Sequence, residues 1–132
     1  MHRHLSWFGL AFVLVAMLAV AAPESGWVKK VPDADRSRPN PEAGDPNAVA
    51  NGAKLYGANC AKCHGEDAQG KGHAPSLHTA SVQQATPGEL EWLILHGKRW
   101  HGMPAMPAFG KLTETERWQV VSYIKSLPPA TP

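Results

Sequence analysis

Two cysteines and a histidine stand within five residues, Cys60-Ala61-Lys62-Cys63-His64, and the chain holds no other cysteine. On a helical turn, residues i and i+3 face the same way. Both thiols can therefore reach the two vinyl groups of one porphyrin and close thioether bonds, the arrangement of c-type haem attachment. His64 follows Cys60 by four residues, which projects its imidazole along the normal of the ring toward the iron. Three other chemistries fit less well. A redox-active dithiol would want a strand before it and a helix after it, and here a helical pattern precedes it. A zinc site needs about four ligands, and a second cysteine pair is absent. A Cys60–Cys63 disulfide would leave His64 without a role. The motif reads as the attachment site of one covalently bound haem c, with iron as its metal.

Three helices can be placed around that motif from their caps. The first opens with Asp45 as N-cap and Pro46 in the first turn, and its apolar face is read as Val49, Gly52 or Ala53, Tyr56 and Cys60. The second opens at Thr86-Pro87-Gly88-Glu89, a capping box, and stops at Gly97. The third opens with another box, Thr113-Glu114-Thr115-Glu116, and halts before Pro128-Pro129. Residues 65–85 and 98–112 read as Gly- and Pro-rich loops, and no strand pattern of useful length appears. The expected fold is all-α over residues 45–132. So small a unit buries a modest share of its surface and needs a staple or a large internal ligand.

The rest of the chain is organised differently. Leu5 to Ala22 carries no charge and follows His2, Arg3 and His4, the pattern of a cationic leader and an apolar segment. Ala19 and Ala21 fit cleavage between Ala21 and Ala22, yet the segment also approaches the length that spans a bilayer. Residues 1–22 are read as a signal peptide or membrane anchor, with a slight lean toward a retained anchor. Residues 23–44 carry four prolines, two glycines and mixed charge, and read as a flexible linker with a reach of about 65 Å. Either fate of the leader places the remainder on the periplasmic side of the cytoplasmic membrane, where c-type haem is attached. The whole chain of 132 residues has 13 Lys+Arg against 11 Asp+Glu, which excludes the basic stripe of a nucleic-acid binder.

The segments Gly52 to Gly65, Gly70-Lys-Gly72-His-Ala-Pro75-Ser-Leu77 and Met106-Pro-Ala-Phe109-Gly to Leu127 together resemble the class I cytochrome c family, over residues 45–127 and in family order. The resemblance implies a small cytochrome c fold in which the first and last helices cross, with Gly52 and Tyr56 meeting Val120 and Tyr123. It implies a methionine thioether as sixth iron ligand, a soft donor that favours ferrous iron. Met106 heads the fuller match, Met-Pro-Ala-Phe-Gly, and is preferred; Met103 also precedes Pro-Ala and stays open as the alternative. Histidines 73, 78, 96 and 101 are lesser candidates for iron. By the same resemblance the Pro75 carbonyl accepts a hydrogen bond from the ligand histidine, and Trp100 reaches a haem propionate. Trp92, Trp100 and Trp118 are assigned to the haem pocket and core.

Iron held by His64 and a methionine has no open position, so the expectation is electron transfer without catalysis and without an organic substrate. A redox donor and a redox acceptor are the implied partners, docking at the haem rim, with Lys62, Lys71, Lys98, Arg99 and Lys111 as candidate rim residues. Residues 45–132 hold 8 basic and 7 acidic side chains, so steering should be modest. Two rival readings remain. A haem enzyme or gas sensor would need a labile sixth ligand, with His73, His78 or His101 as distal group. A fixed cytochrome subunit of a dehydrogenase or oxidase complex would relay electrons without diffusing.

Overall fold

The computed structural model describes residues 26–130. After a 3-10 turn at Val28–Lys30, six α-helices and one hairpin follow in order: α1 (Asp33–Arg36), α2 (Pro46–Asn59), α3 (Ala61–His64), α4 (Ala80–Gln83), α5 (Pro87–His96), β1 (Lys98–Trp100), β2 (Met103–Met106) and α6 (Glu114–Ser126). The three long helices begin where their caps predict. Asp45 accepts from the Asn47 amide, and both capping boxes close, Thr86 with Glu89 and Thr113 with Glu116. These bonds satisfy amides that have no partner inside the helix.

The frame of the molecule is α2 packed on α6. A Cβ at Gly52 would lie 2.0 Å from the Gln119 carbonyl oxygen and 3.0 Å from Tyr123 Cβ, so only glycine permits this approach. One turn on, the rings of Tyr56 and Tyr123 lie 5.0 Å apart. Trp118, Tyr56, Val120 and Val121 are fully buried there, with Leu90 and Ile94 of α5 in the same core. The face of α2 differs by one residue from its expected position: Ala48 is buried, whereas Val49 is 38% exposed. Ala48 stands four residues before Gly52, on the face that meets α6, and Val49 faces out.

Two expectations are corrected. Residues 98–106 form an antiparallel hairpin and not a loop, with Lys98 opposite Met106, Arg99 opposite Pro104 and Trp100 opposite Met103. Its turn residues, His101 (φ 46°) and Gly102 (φ 81°), are both left-handed, which matches the twist of the strands. The stretch is too short and too polar to show a period of two.

The second correction concerns residues 26–44, expected as a flexible linker. They form a strap folded over α5 and α6. Val28 and Val31 are buried, and Trp27 packs against the core. Arg36 donates to the Val28 carbonyl at 3.0 Å and pairs with Glu89 at 3.4 Å. Arg38 pairs with Glu91 at 3.4 Å and with Glu114, and lies over the Trp118 ring. Asn40 donates to the Trp118 carbonyl and to Ser122. The strap sits directly on backbone: a Cβ at Gly88 would lie 2.0 Å from the Asp35 carbonyl oxygen. Charge complementarity with α5 thus holds a segment whose composition alone gives no reason to fold. The expected leader at residues 1–22 lies outside the described residues. Among those described, no helix is long and apolar enough to cross a membrane.

Candidate haem site

The cysteine motif is built at the end of α2. Cys60 caps that helix through its amide to the Tyr56 carbonyl at 2.8 Å, and the chain then turns once more as α3. Within this turn the Cys63 and His64 amides both bond the Cys60 carbonyl, at 3.1 and 2.9 Å. The two cysteines thus stand one helical turn apart, as the attachment of one porphyrin requires. Both thiols are free, Cys60 buried and Cys63 exposed. Burial pushes the Cys60 thiol up to about 11, with Cys63 adding a smaller push. A thiol held in its protonated form is the opposite of an activated redox dithiol.

His64 is oriented by a second segment. Its Nδ1 lies 2.9 Å from the Pro75 carbonyl oxygen. Since a carbonyl only accepts, Nδ1 carries the hydrogen and Nε2 is left with its lone pair for a metal. The loop that brings Pro75 back is closed by the Gly70 amide donating to the His64 carbonyl at 2.8 Å, and by Leu77 donating to Ala68 at 2.8 Å. Tyr56 supplies a bond that the sequence did not announce. Its hydroxyl donates to the Gly65 carbonyl at 2.6 Å, directly after the histidine. Burial pushes this phenol up to about 12, with lesser contributions from Cys60, Tyr123 and Asp67. A tyrosine four residues before a cysteine signals core packing, and its hydroxyl partner appears only once the loop has turned back.

The structure therefore brings Cys60, Cys63, His64 and Pro75 together. Two clefts flank the motif, one of about 520 Å³ beside Ala61, Lys62 and Gly65, the other of about 450 Å³ between Asn59 and residues 108–112. Neither is lined by His64 or by a methionine. Met106 is half-buried and packs against the core at the base of the hairpin, whereas Met103 is 67% exposed near its tip. Trp100 is 62% exposed and meets His101 edge-on. Trp118 lies in the core, while Trp92 stacks on His96 at 4.3 Å. Lys62, Lys71, Lys98, Arg99 and Lys111 are all exposed. One lesser iron candidate is corrected: both ring nitrogens of buried His78 face backbone carbonyls, which leaves neither free for a metal.

Two free thiols one turn apart, followed by a histidine whose Nδ1 is tied to a carbonyl and whose Nε2 is left free, fit a covalently attached haem. With a helical frame of this size they define a small mono-haem c-type cytochrome domain. The model of the family described as "Cytochrome C oxidase, cbb3-type, subunit III" matches residues 47–124, and the chain belongs to that family. It is 33% identical to a cytochrome c6 of Parathermosynechococcus lividus over 81 residues, covering 58% of this chain and 86% of that protein. It is 33% identical to cytochrome c550 of Pseudomonas aeruginosa over 84 residues, covering 61% of this chain and 56% of that protein. A third relative, the cbb3-type cytochrome c oxidase subunit FixP of Sinorhizobium medicae, is 35% identical over 88 residues, covering 61% of this chain and 30% of that subunit. The chain thus spans little more than half of the c550 and under a third of FixP. Among solved structures, cytochrome cL from the marine methylotroph Methylophaga aminisulfidivorans superposes with a TM-score of 0.56 at 26% identity, covering 68% of this chain and 59% of that one. The cofactor is one covalently bound haem c with its iron.

Proposed function

We propose that the protein carries single electrons between a redox donor and a redox acceptor outside the cytoplasmic membrane, as an exported or membrane-anchored cytochrome and not as an enzyme. The observation that carries this reading is the Nδ1–Pro75 bond at 2.9 Å, which presents His64 Nε2 as a fixed iron ligand. When bound, haem c supplies a one-electron couple whose potential follows from its axial ligands and its burial. Met106 is the sixth ligand in this reading: it packs on the core, and its carbonyl closes against Gly97, where a Cβ would come within 2.5 Å. A thioether held by a stiff Pro-Ala frame needs little rearrangement between oxidation states. Trp100 serves a haem propionate, and Pro75 makes His64 a stronger donor. The relatives' names support electron transfer as the role, and residues 1–22 supply the export or anchoring.

The similarity to FixP supports a second arrangement, in which the domain is a resident subunit of an oxidase and relays electrons without diffusing. Copurification from detergent-solubilised membranes separates the two. The carrier reading is tested by a visible spectrum of the protein matured in an exporting host, reduced, then exposed to carbon monoxide. A low-spin spectrum that carbon monoxide leaves unchanged is expected. Rapid carbon monoxide binding would mean an open sixth position and would turn the reading toward an enzyme or gas sensor.

A further inference from the structure

His78 is 5% exposed, and both of its ring nitrogens meet backbone oxygens: Nδ1 lies 2.6 Å from the Pro128 carbonyl and Nε2 2.9 Å from the Asp67 carbonyl. Neutral imidazole has one N–H and cannot donate both bonds; only the imidazolium can. The bonds to Asp67 and Pro128 accordingly raise the affinity of the ring for its second proton, against an opposing contribution from burial.

The two carbonyls belong to different parts of the fold. Asp67 is three residues beyond His64, in the loop that returns to place Pro75 on the ligand ring. Pro128 follows α6, and the clasp is reinforced by the Ala130 amide donating to the His78 carbonyl at 2.8 Å. The charged side chain that acts on the ring is Asp67, whose carboxylate accepts from the Gln69 amide. The other ionisable groups of the loop, Glu66, Lys71 and His73, are exposed. Neither α4 nor residues 127–130 carry an ionisable side chain. On α6, Lys125 turns its Nζ to the carbonyls of Gln83 and Ala85. The ring is thus a buried group whose two carbonyl partners suit a cation, with few other charged groups beside it.

We propose that His78 is a proton-binding site coupled to electron uptake, an inference that rests on the electron-carrier reading. One electron arrives from the redox donor and one proton passes from solvent to His78; on oxidation the electron leaves to the acceptor and the proton returns to solvent. An added electron makes the interior more negative, which favours the imidazolium. By reciprocity, the protonated ring favours the reduced protein.

The test uses the full haem-loaded chain, with both oxidation states set chemically by ferricyanide and dithionite. Nitrogen-15 NMR follows His78 from pH 5 to 9 in each state, and the midpoint potential is measured over the same range in wild type and in His78→Gln. The expected result is an imidazolium whose pKa is higher in the reduced protein. The potential then falls with pH between the two values and loses that fall in His78→Gln; a tenfold difference in proton affinity corresponds to about 59 mV. The same pKa in both states, a ring that is neutral at pH 5, or a pH profile unchanged in His78→Gln would overturn the proposal. If the variant fails to fold, the wild-type NMR titrations decide alone. A chain whose iron binds carbon monoxide would refute the carrier reading and leave the two titrations to stand or fall by themselves.

Discussion

Gly52→Ala tests the frame on which the haem turn hangs. The new methyl would lie 2.0 Å from the Gln119 oxygen, 2.6 Å from the carbonyl carbon and 3.0 Å from Tyr123 Cβ. Carbon atoms sit comfortably at about 3.5–4.0 Å, so α2 and α6 must part by more than an ångström. The obstacle is helical backbone, which cannot rotate aside as a side chain can. Overpacking costs about 1–3 kcal/mol, and a backbone clash belongs at or above the top of that range. Alanine's better helix propensity returns about 1 kcal/mol, leaving a net loss of about 2 kcal/mol or more. For a domain of this size that lowers Tm by roughly 8–16 °C. Gly57→Ala is the matched control, since it lies on the same helix with nothing within 4 Å of the new Cβ. It should stabilise slightly. Thermal unfolding of the oxidised protein, followed by circular dichroism, compares the three chains. Equal melting of Gly52→Ala and wild type would refute the close crossing, and with it the placement of Tyr56 behind the histidine turn.

Met106→Ala should lower the reduction potential and open the iron to carbon monoxide, while Met103→Ala should leave the spectrum of the reduced protein unchanged; the reverse pattern would exchange the two assignments. Tyr56→Phe removes only the hydroxyl on Gly65 and should cost about 1–2 kcal/mol in urea unfolding. The phenol is held near 12 in the folded protein against 10.0 ordinarily, so it contributes stability below pH 10 that is lost as pH rises toward 12. The Phe variant should lack that part of the alkaline decline. Glu91→Ala strips buried Arg117 of its 2.6 Å partner and frees Arg38 of the strap, with an expected loss of about 3–5 kcal/mol in the same assay. A loss below 1 kcal/mol would mean that the strap does not depend on this pair.

What the sequence determined is local. Caps act between residues three apart, so Asp45, Thr86 and Thr113 announce their helices without reference to anything distant. The haem turn is equally local, because both cysteines and the histidine that follows lie within five consecutive residues of one helical turn. Gly52 was marked by the family resemblance, which implies a close helix crossing that tolerates no side chain. Tertiary structure decided the rest, wherever two segments of ambiguous composition complete one another. Val28 and Val31 have too little apolar surface to fold alone. They are buried because Arg36 and Arg38 find Glu89 and Glu91 some fifty residues away. The hairpin at 98–106 exists because its strands pair with each other, and pairing leaves no mark on a run with an internal proline and no alternation. Whether His78 is a solvated side chain, an iron ligand or a clasp depends on which oxygens lie beside its two nitrogens. Those oxygens are backbone carbonyls of Asp67 and Pro128, and every residue has one, so no residue type could have signalled them.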